Sequence, residues 1–516
     1  MVELQRRKGL LYRFLDAVER GGNRLPDPVT IFVILTLFVM VLSAICAHFG
    51  LSVTYEGVDR ASNNEIKMLT VKAVSLLTAD GLRGFYTSMV KNFTGYAPLG
   101  TVLVALIGVG LADGSGLLSA LIRKMVLSTP KRLVTLIMVF AGVMSNIASD
   151  AGYVVLVPLG AIVFMNFGRH PLAGMAAAFA GVSGGFSANL LIGTIDPLLG
   201  GISTEAARLL SPDYVVHATA NWYFMIASTL LITLIGTFIT EKIVEPRLGE
   251  YKGDSVDISA AITESEKKGL RYAGITMLVF IALTLLATVP SWGLLRDPKT
   301  GDLLRSPFMT GLVSFIMFFF LVPGLAYGIG SGSIRSDKQA VAMIGKSMST
   351  MGGYLVLAFA AAQFLYVFNV SKLGTILAVE GAIFLKAINF TGTPLVIAFI
   401  LISAFINLFM GSASAKWSIM APVFVPMFMG IGFSPEFTQC IYRIGDSSTN
   451  IITPLMTYFA FIVACVQKYD KDAGIGTLIS LMLPYSICFL VAWSTLMAVW
   501  FGFDLPLGPG VGIFLK

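Results

Sequence analysis

Apolar runs of about twenty residues, the length that crosses a bilayer as a helix, recur from residue 28 to the end of the chain. Seven are uninterrupted, at roughly 28–50, 97–122, 221–241, 271–290, 308–327, 347–369 and 474–502. Two more, 172–201 and 438–465, are broken by glycine, proline and small hydroxyl residues. Two further apolar blocks, 133–166 and 393–431, carry a polar, small-residue centre where a continuous span would be apolar. The pattern predicts an all-α polytopic membrane protein, with about nine transmembrane helices plus two opposed re-entrant hairpins, in one domain over 1–516.

Charge sets the orientation. Arg6, Arg7, Lys8, Arg13, Arg20 and Arg24 place segment 1–27 in the cytoplasm by the positive-inside rule. The second span returns to Arg123, Lys124, Lys131 and Arg132, and the block after it ends at Arg169 and His170. With both ends basic, 133–166 reads as a hairpin entered from the cytoplasm, against the alternative of one outward span. The polar loops before Tyr96 and over 291–307 fall outside, and the connector 242–270 inside. Residues 378–392, with Glu380 and Lys386, read as interfacial, and the 393–431 hairpin opens from the outer side.

The two hairpin-plus-broken-helix units, 133–201 and 393–465, form an internal repeat. SNIASDAGYVVLVP (145–158) pairs with SASAKWSIMAPVFVP (412–426), and GGFSANLLIGTIDP (184–197) with GDSSTNIITP (445–454). The offsets nearly agree, 265 from Ser149 to Ser414 and 261 from Asn189 to Asn450. Because the hairpins open to opposite sides, the repeats are inverted. Inverted repeats with paired interrupted helices point to a secondary transporter whose site lies where the repeats meet.

Composition narrows the class. Of 516 residues, 56% are hydrophobic and 13% charged, which leaves no large polar domain. The net charge of +7 sits in short loops between spans, so it marks orientation and not nucleic-acid binding. Cys46, Cys440, Cys465 and Cys488 fall in apolar segments without metal-ligand spacing and read as buried thiols. No HExxH, GxSxG or Cys–His arrangement accompanies them, which argues against an intramembrane enzyme.

The interrupted stretch from Gly411 to Pro454 concentrates charge in an apolar setting: Lys416, Arg443 and Asp446, beside Trp417. Intramembrane charges are costly enough to mark function. Arg443 presents a planar fork suited to a carboxylate. Asp446, three residues on, shares its helix face and could instead neutralise it. Trp417 offers an aromatic face to a ring-bearing substrate, or simply packs. Asp196 lies in the matching break, while Asp113 and Asp150 are weaker candidates. The triplets Ser187–Asn189 and Ser448–Asn450 place oxygens beside each break. Ser187, Asn189, Ser448 and Asn450 are thus sodium candidates, with Asp196 and Asp446 as rival proton carriers.

The SNIASDAGY hairpin, SANLLIGTIDPLLGG, GSASAKWSIMAP and YRIGDSSTNIITPL together resemble the AbgT family of p-aminobenzoyl-glutamate transporters, essentially end to end. The resemblance implies a homodimer in the bacterial inner membrane, each subunit with nine spans, two opposed hairpins and a basin open to the cytoplasm. It implies ion-gradient-driven transport of p-aminobenzoyl-glutamate, p-aminobenzoate or sulfonamides. Carried over by motif, the functional positions are Asp196, Ser414, Trp417, Pro435, Arg443, Asp446 and Pro454; Ser414 and Pro435 rest on the resemblance alone. The related alternative is a sodium-coupled dicarboxylate carrier.

Overall fold

The structure is a computed structural model that describes residues 26–59, 65–148, 152–251, 262–303 and 306–515. The basic cluster expected in the cytoplasmic segment, residues 252–261 of the 242–270 connector, and Ser149 and Asp150 lie outside the described residues.

Helix α1 (Pro28–His48) starts under an Asp27 cap, whose carboxylate accepts from the Val29 amide. The loop after it, expected outside, adds two strands to the helical fold. Strands β1 (Ser52–Asp59) and β2 (Glu65–Lys72) pair antiparallel, Ser52 opposite Lys72, and helix α2 (Ala79–Thr94) follows. Strand alternation in so polar a stretch was masked by charge. The second expected span is also interrupted. Gly116, at φ +92°, ends α3 (Ala97–Gly114) and opens α4 (Leu117–Leu127).

The first repeat comprises α5 (Val134–Ser145), α6 (Gly152–Asn166), α7 (Pro171–Gly184) and α8 (Ile195–Ala207). Helices α9 (Trp222–Leu248), α10 (Glu264–Thr288), α11 (Leu312–Ser331), α12 (Asp337–Ser349), α13 (Gly352–Val370) and α14 (Leu373–Ala387) lead to the second. That repeat comprises α15 (Gly392–Asn407), α16 (Ala413–Met429), α17 (Pro435–Asn450) and α18 (Phe459–Gln467), and α19 (Ile475–Gly502) closes the bundle. Seven helical segments among the described residues are long and apolar enough to cross a membrane. The other two expected spans are the interrupted ones, α7–α8 and α17–α18. The stretch read as interfacial forms most of α14, whose Ile376, Ala378 and Val379 are buried.

Both hairpins turn back on themselves. In the first, Arg169 donates from Nη1 to Thr135 Oγ1 at 2.7 Å and from Nε to Glu245 at 2.8 Å, so the block's two ends lie side by side. In the second, Lys386 Nζ donates to the Gly430 carbonyl at 2.9 Å, just ahead of α15. Phe399 packs on Phe424 and Phe428, with ring centroids 4.8 and 5.1 Å away, and Lys416 meets Asn407 at the tip, so the arms run antiparallel.

The repeats also share their packing. Helix α7 runs beside α5 in the same direction, and a Cβ on Gly181 would fall 2.3 Å from the Val139 carbonyl. Helix α17 runs likewise beside α15, and a Cβ on Gly445 would fall 2.4 Å from the Ile400 carbonyl. This corrects one expectation. Gly445, Ser447 and Ser448 do not break the helix; α17 is continuous to Asn450, and the interruption spans 451–458. Gly445 is there because the backbones meet, not because the chain bends. A stack of Tyr153 on Tyr458, 4.8 Å apart and 8° from parallel, joins the two units.

Candidate functional site

Lys416, Arg443 and Asp446 of the second repeat are buried in two ion pairs. Arg443 donates from Nη2 to Asp196 Oδ1 at 2.7 Å, with both side chains at most 4% exposed. Lys416 Nζ lies 2.6 Å from Asp446 Oδ1 and also donates to Asn407 Oδ1. Arg443 and Asp446 do share the α17 face, but each takes its partner from another element. The Arg443–Asp446 pair left open by the sequence therefore does not form: isolated buried charges are costly, and each has an opposite charge nearer across the helix contact.

Arg443 joins the repeats, because Asp196 stands on α8. The aspartate is held from behind: its Oδ2 accepts from the Gly193 amide at 2.7 Å. One arm of the fork is therefore occupied, and its Nε finds no acceptor. One helical segment along, Ser203 accepts from Trp417 Nε1 at 2.9 Å and donates to Gln439 at 2.7 Å. Gln439 in turn donates to Asn221, and Asn221 donates to the Glu436 carbonyl. Tyr214 OH donates to the Glu436 carboxyl at 2.9 Å.

Trp417 is fully buried, and its ring stacks on Tyr442 at 4.4 Å between centroids. Tyr442 OH donates to the Ala413 carbonyl at 2.7 Å and lies 3.3 Å from Asp446. One aromatic face is thus covered from within. Pro435 sits at the first turn of α17 behind the Ser434 cap, where its missing N–H costs nothing. Pro454 lies in the second interruption. The hairpin tip presses there, since a Cβ on Gly411 would meet the Leu455 carbonyl at 2.6 Å.

Ser414 stands apart from these. It faces a cavity of about 570 Å³ lined also by Asp27, Tyr354 and Ser412, between α1, α13 and the second hairpin tip. Thus Asp196, Arg443 and Trp417 meet at the contact between repeats, Asp446 stands behind them with Lys416 and Tyr442, and Ser414 lines a separate cavity.

The four sodium candidates are not equivalent. Asn450 Oδ1 accepts from Asn407 at 2.9 Å, and Ser448 donates to the Gly445 carbonyl at 3.3 Å. Asn189 donates to the Val143 carbonyl at 3.4 Å, while Ser187 Oγ, buried, has no hydrogen-bond partner.

A family model described as the AbgT putative transporter family matches residues 13–515. The chain belongs to the AbgT family. A curated AbgT relative, the p-aminobenzoyl-glutamate transport protein of Escherichia coli (strain K12), is 42% identical over 494 residues, covering 96% of each chain. Among solved structures, the Neisseria gonorrhoeae MtrF superposes with a TM-score of 0.91 at 53% identity, covering 97% of this chain and all of that one. Its report describes a class of antimetabolite efflux pumps. The Alcanivorax borkumensis YdaH transporter, described as having an unusual topology, gives 0.88 at 46% identity over 94% of this chain and all of that one. The AbgT assignment makes the chain a multi-pass membrane transporter and leaves the dicarboxylate-carrier reading without support.

Several site residues carried no sequence role before: Asn407, Ser203, Asn221, Gln439, Glu436 and Tyr442. Asn407 was findable, since it stands 261 residues after Asn146, the same offset as Asn189 to Asn450. Ser203 and Gln439 carry no such signal.

Proposed function

We propose that this chain moves p-aminobenzoyl-glutamate, or an aromatic carboxylate of that class such as p-aminobenzoate or a sulfonamide analogue, across the bacterial inner membrane. It does so as a homodimer, by alternating access driven by an ion gradient. The observation that carries this reading is that Arg443 on α17 and Trp417 on α16 both reach one helix: their partners, Asp196 and Ser203, stand about two turns apart on α8.

A guanidinium and an indole so placed match the two ends of the substrate. The substrate carboxylate takes over from Asp196 on the Arg443 fork, where two parallel N–H···O bonds are available. Until then Asp196 holds the guanidinium in position and keeps a buried charge paired. The aromatic ring lies against the Trp417–Tyr442 stack. The open cavity at Ser414 is the approach, and movement of the second hairpin tip joins it to the buried pair. The printed function of the Escherichia coli relative supports this choice of substrate.

The test is flux of radiolabelled p-aminobenzoyl-glutamate in proteoliposomes holding the purified chain, with sodium and proton gradients imposed separately and in both directions. Gradient-driven flux, competed by unlabelled p-aminobenzoate, is expected. Absence of flux under every gradient, with a folded dimeric protein, would overturn the reading.

A further inference from the structure

The repeats provide an internal comparison. Asn146 and Asn407 hold matched places, 261 residues apart, at the end of the first arm of each hairpin. Each uses its amide nitrogen to tie that arm to the following broken helix. Asn407 Nδ2 donates to the Asp446 carbonyl at 2.7 Å and to Thr449 and Asn450 at 2.9 Å each. Asn146 Nδ2 donates to the Val143 and Gly185 carbonyls at 3.2 and 3.3 Å. Both Asn146 partners are acceptors, so its nitrogen and oxygen cannot be exchanged.

The two amide oxygens differ in what they meet. Asn407 Oδ1 accepts from the Lys416 ammonium, a cation. Asn146 Oδ1 meets no donor, although Asn146 is only 5% exposed. Ser187 Oγ, two residues past Gly185 and 4% exposed, meets none either. Asn189 leans on the same Val143 carbonyl, and its Oδ1 accepts only from the Leu191 amide, at 3.1 Å. Asn146 and Asn189 thus meet at the Val143 carbonyl, Asn146 also reaches the Gly185 carbonyl, and Ser187 lies in the short segment between Gly185 and Asn189; the Asn146 and Ser187 oxygens are buried without a donor.

We infer that Asn146, Ser187 and Asn189, with the Val143 and Gly185 carbonyls, form a sodium site in the first repeat. The donor set is all oxygen and uncharged, which suits a hard monovalent ion better than a divalent one. The nearby carboxylate is engaged, with Asp196 taken by Gly193 and Arg443. Among the described residues no His, Cys, Asp and Glu cluster could hold a transition metal. The site rests on the ion-gradient reading above and gives it a route. The segment from Gly185 to Thr194 runs from these oxygens to Asp196, so an ion that orders this segment also sets Asp196 against Arg443.

The experiment is equilibrium binding of radioactive sodium to the purified full chain, without substrate. Saturable binding that unlabelled sodium displaces and potassium does not is expected. Asn146→Ala should weaken it at least tenfold and Ser187→Ala at least threefold, with Ser349→Ala, on exposed α12, unchanged within twofold. Ser187→Ala removes one oxygen and little volume, so it decides the matter if Asn146→Ala does not fold. No sodium binding by the wild type, or wild-type binding in Ser187→Ala, overturns the site. Intact sodium binding without any p-aminobenzoyl-glutamate flux overturns the transport reading and leaves the site standing.

Discussion

Arg443 and Asp196 come from opposite halves of the chain, 247 residues apart, and meet in a 2.7 Å charge-assisted hydrogen bond from which water is almost wholly excluded. The pair ties the two repeats where they touch. Removing one member leaves the other charged and buried, at a cost of about 3–5 kcal/mol. Asp196→Asn should therefore lower thermal stability markedly. The double variant Asp196→Asn/Arg443→Gln should regain most of it, yet not transport. Melting temperatures of the three proteins, with flux on each that folds, check this; a double variant as unstable as the single one would sink it.

Arg443→Lys separates charge from geometry. A lysine keeps the positive charge opposite Asp196 but presents a point charge in place of a fork. Stability should fall by no more than about 1–2 kcal/mol, since the ion pair persists. Uptake should fall at least tenfold, because the substrate carboxylate loses its two parallel donors. Unaltered uptake at equal expression would remove the role given to the fork.

Gly181 and Gly445 are the close-approach points of the two repeats. A methyl on either would stand under 2.5 Å from a backbone carbonyl of the neighbouring arm. Backbone cannot yield as a side-chain end can, so Gly181→Ala and Gly445→Ala should each cost about 1–3 kcal/mol. Gly345→Ala, in exposed α12 with no atom within 4 Å of the new methyl, should stabilise by about 0.5–1 kcal/mol. Denaturation midpoints in detergent distinguish the three.

Much of this architecture is legible in the chain because a bilayer imposes length and charge rules on every segment. The apolar run lengths mark the spans, and the basic ends around 133–169 mark a hairpin that the Thr135–Arg169 contact displays directly. The reading goes astray where one residue type serves two purposes. Glycine breaks the helix at Gly116 but packs it at Gly445, and sequence alone does not separate a positive φ from a close approach. Ion-pair partners were hidden for a similar reason. Helical spacing places Arg443 beside Asp446, whereas partner choice depends on which helices cross, and that is set by tertiary packing.

The Lys416–Asp446 pair holds the second hairpin to α17 through the tip, since Lys416 also bonds Asn407 and the Met410 carbonyl. Lys416→Met should leave Asp446 buried without its partner, costing about 3–5 kcal/mol. Lys416→Arg should retain the charge but crowd a fully buried site, at about 1–3 kcal/mol. If the pair also locks the tip, limited proteolysis near residues 408–412 should accelerate in Lys416→Met and not in Gly445→Ala. Equal cleavage rates in the two variants would show that the tip is held by packing alone.

The last prediction concerns topology, on which the inversion of the repeats depends. Lys131 and Asn166 flank the first hairpin, are exposed, and stand at ends that the Arg169–Thr135 bond brings together. Thr391, exposed, leads into the second hairpin. The native cysteines form no disulfide, and Cys440 and Cys465 are buried, so a cysteine-free background should be tolerated. Single cysteines at Lys131 and Asn166 should be labelled by a membrane-impermeant maleimide from the same side, the cytoplasmic one by the charge rule. A cysteine at Thr391 should be labelled only from the other side. Labelling of all three from one face would make the repeats parallel, and the site would then lie on an axis along the membrane normal. Labelling of Lys131 and Asn166 from opposite faces would make the first block a span, which the short reach of one arginine to Thr135 does not allow.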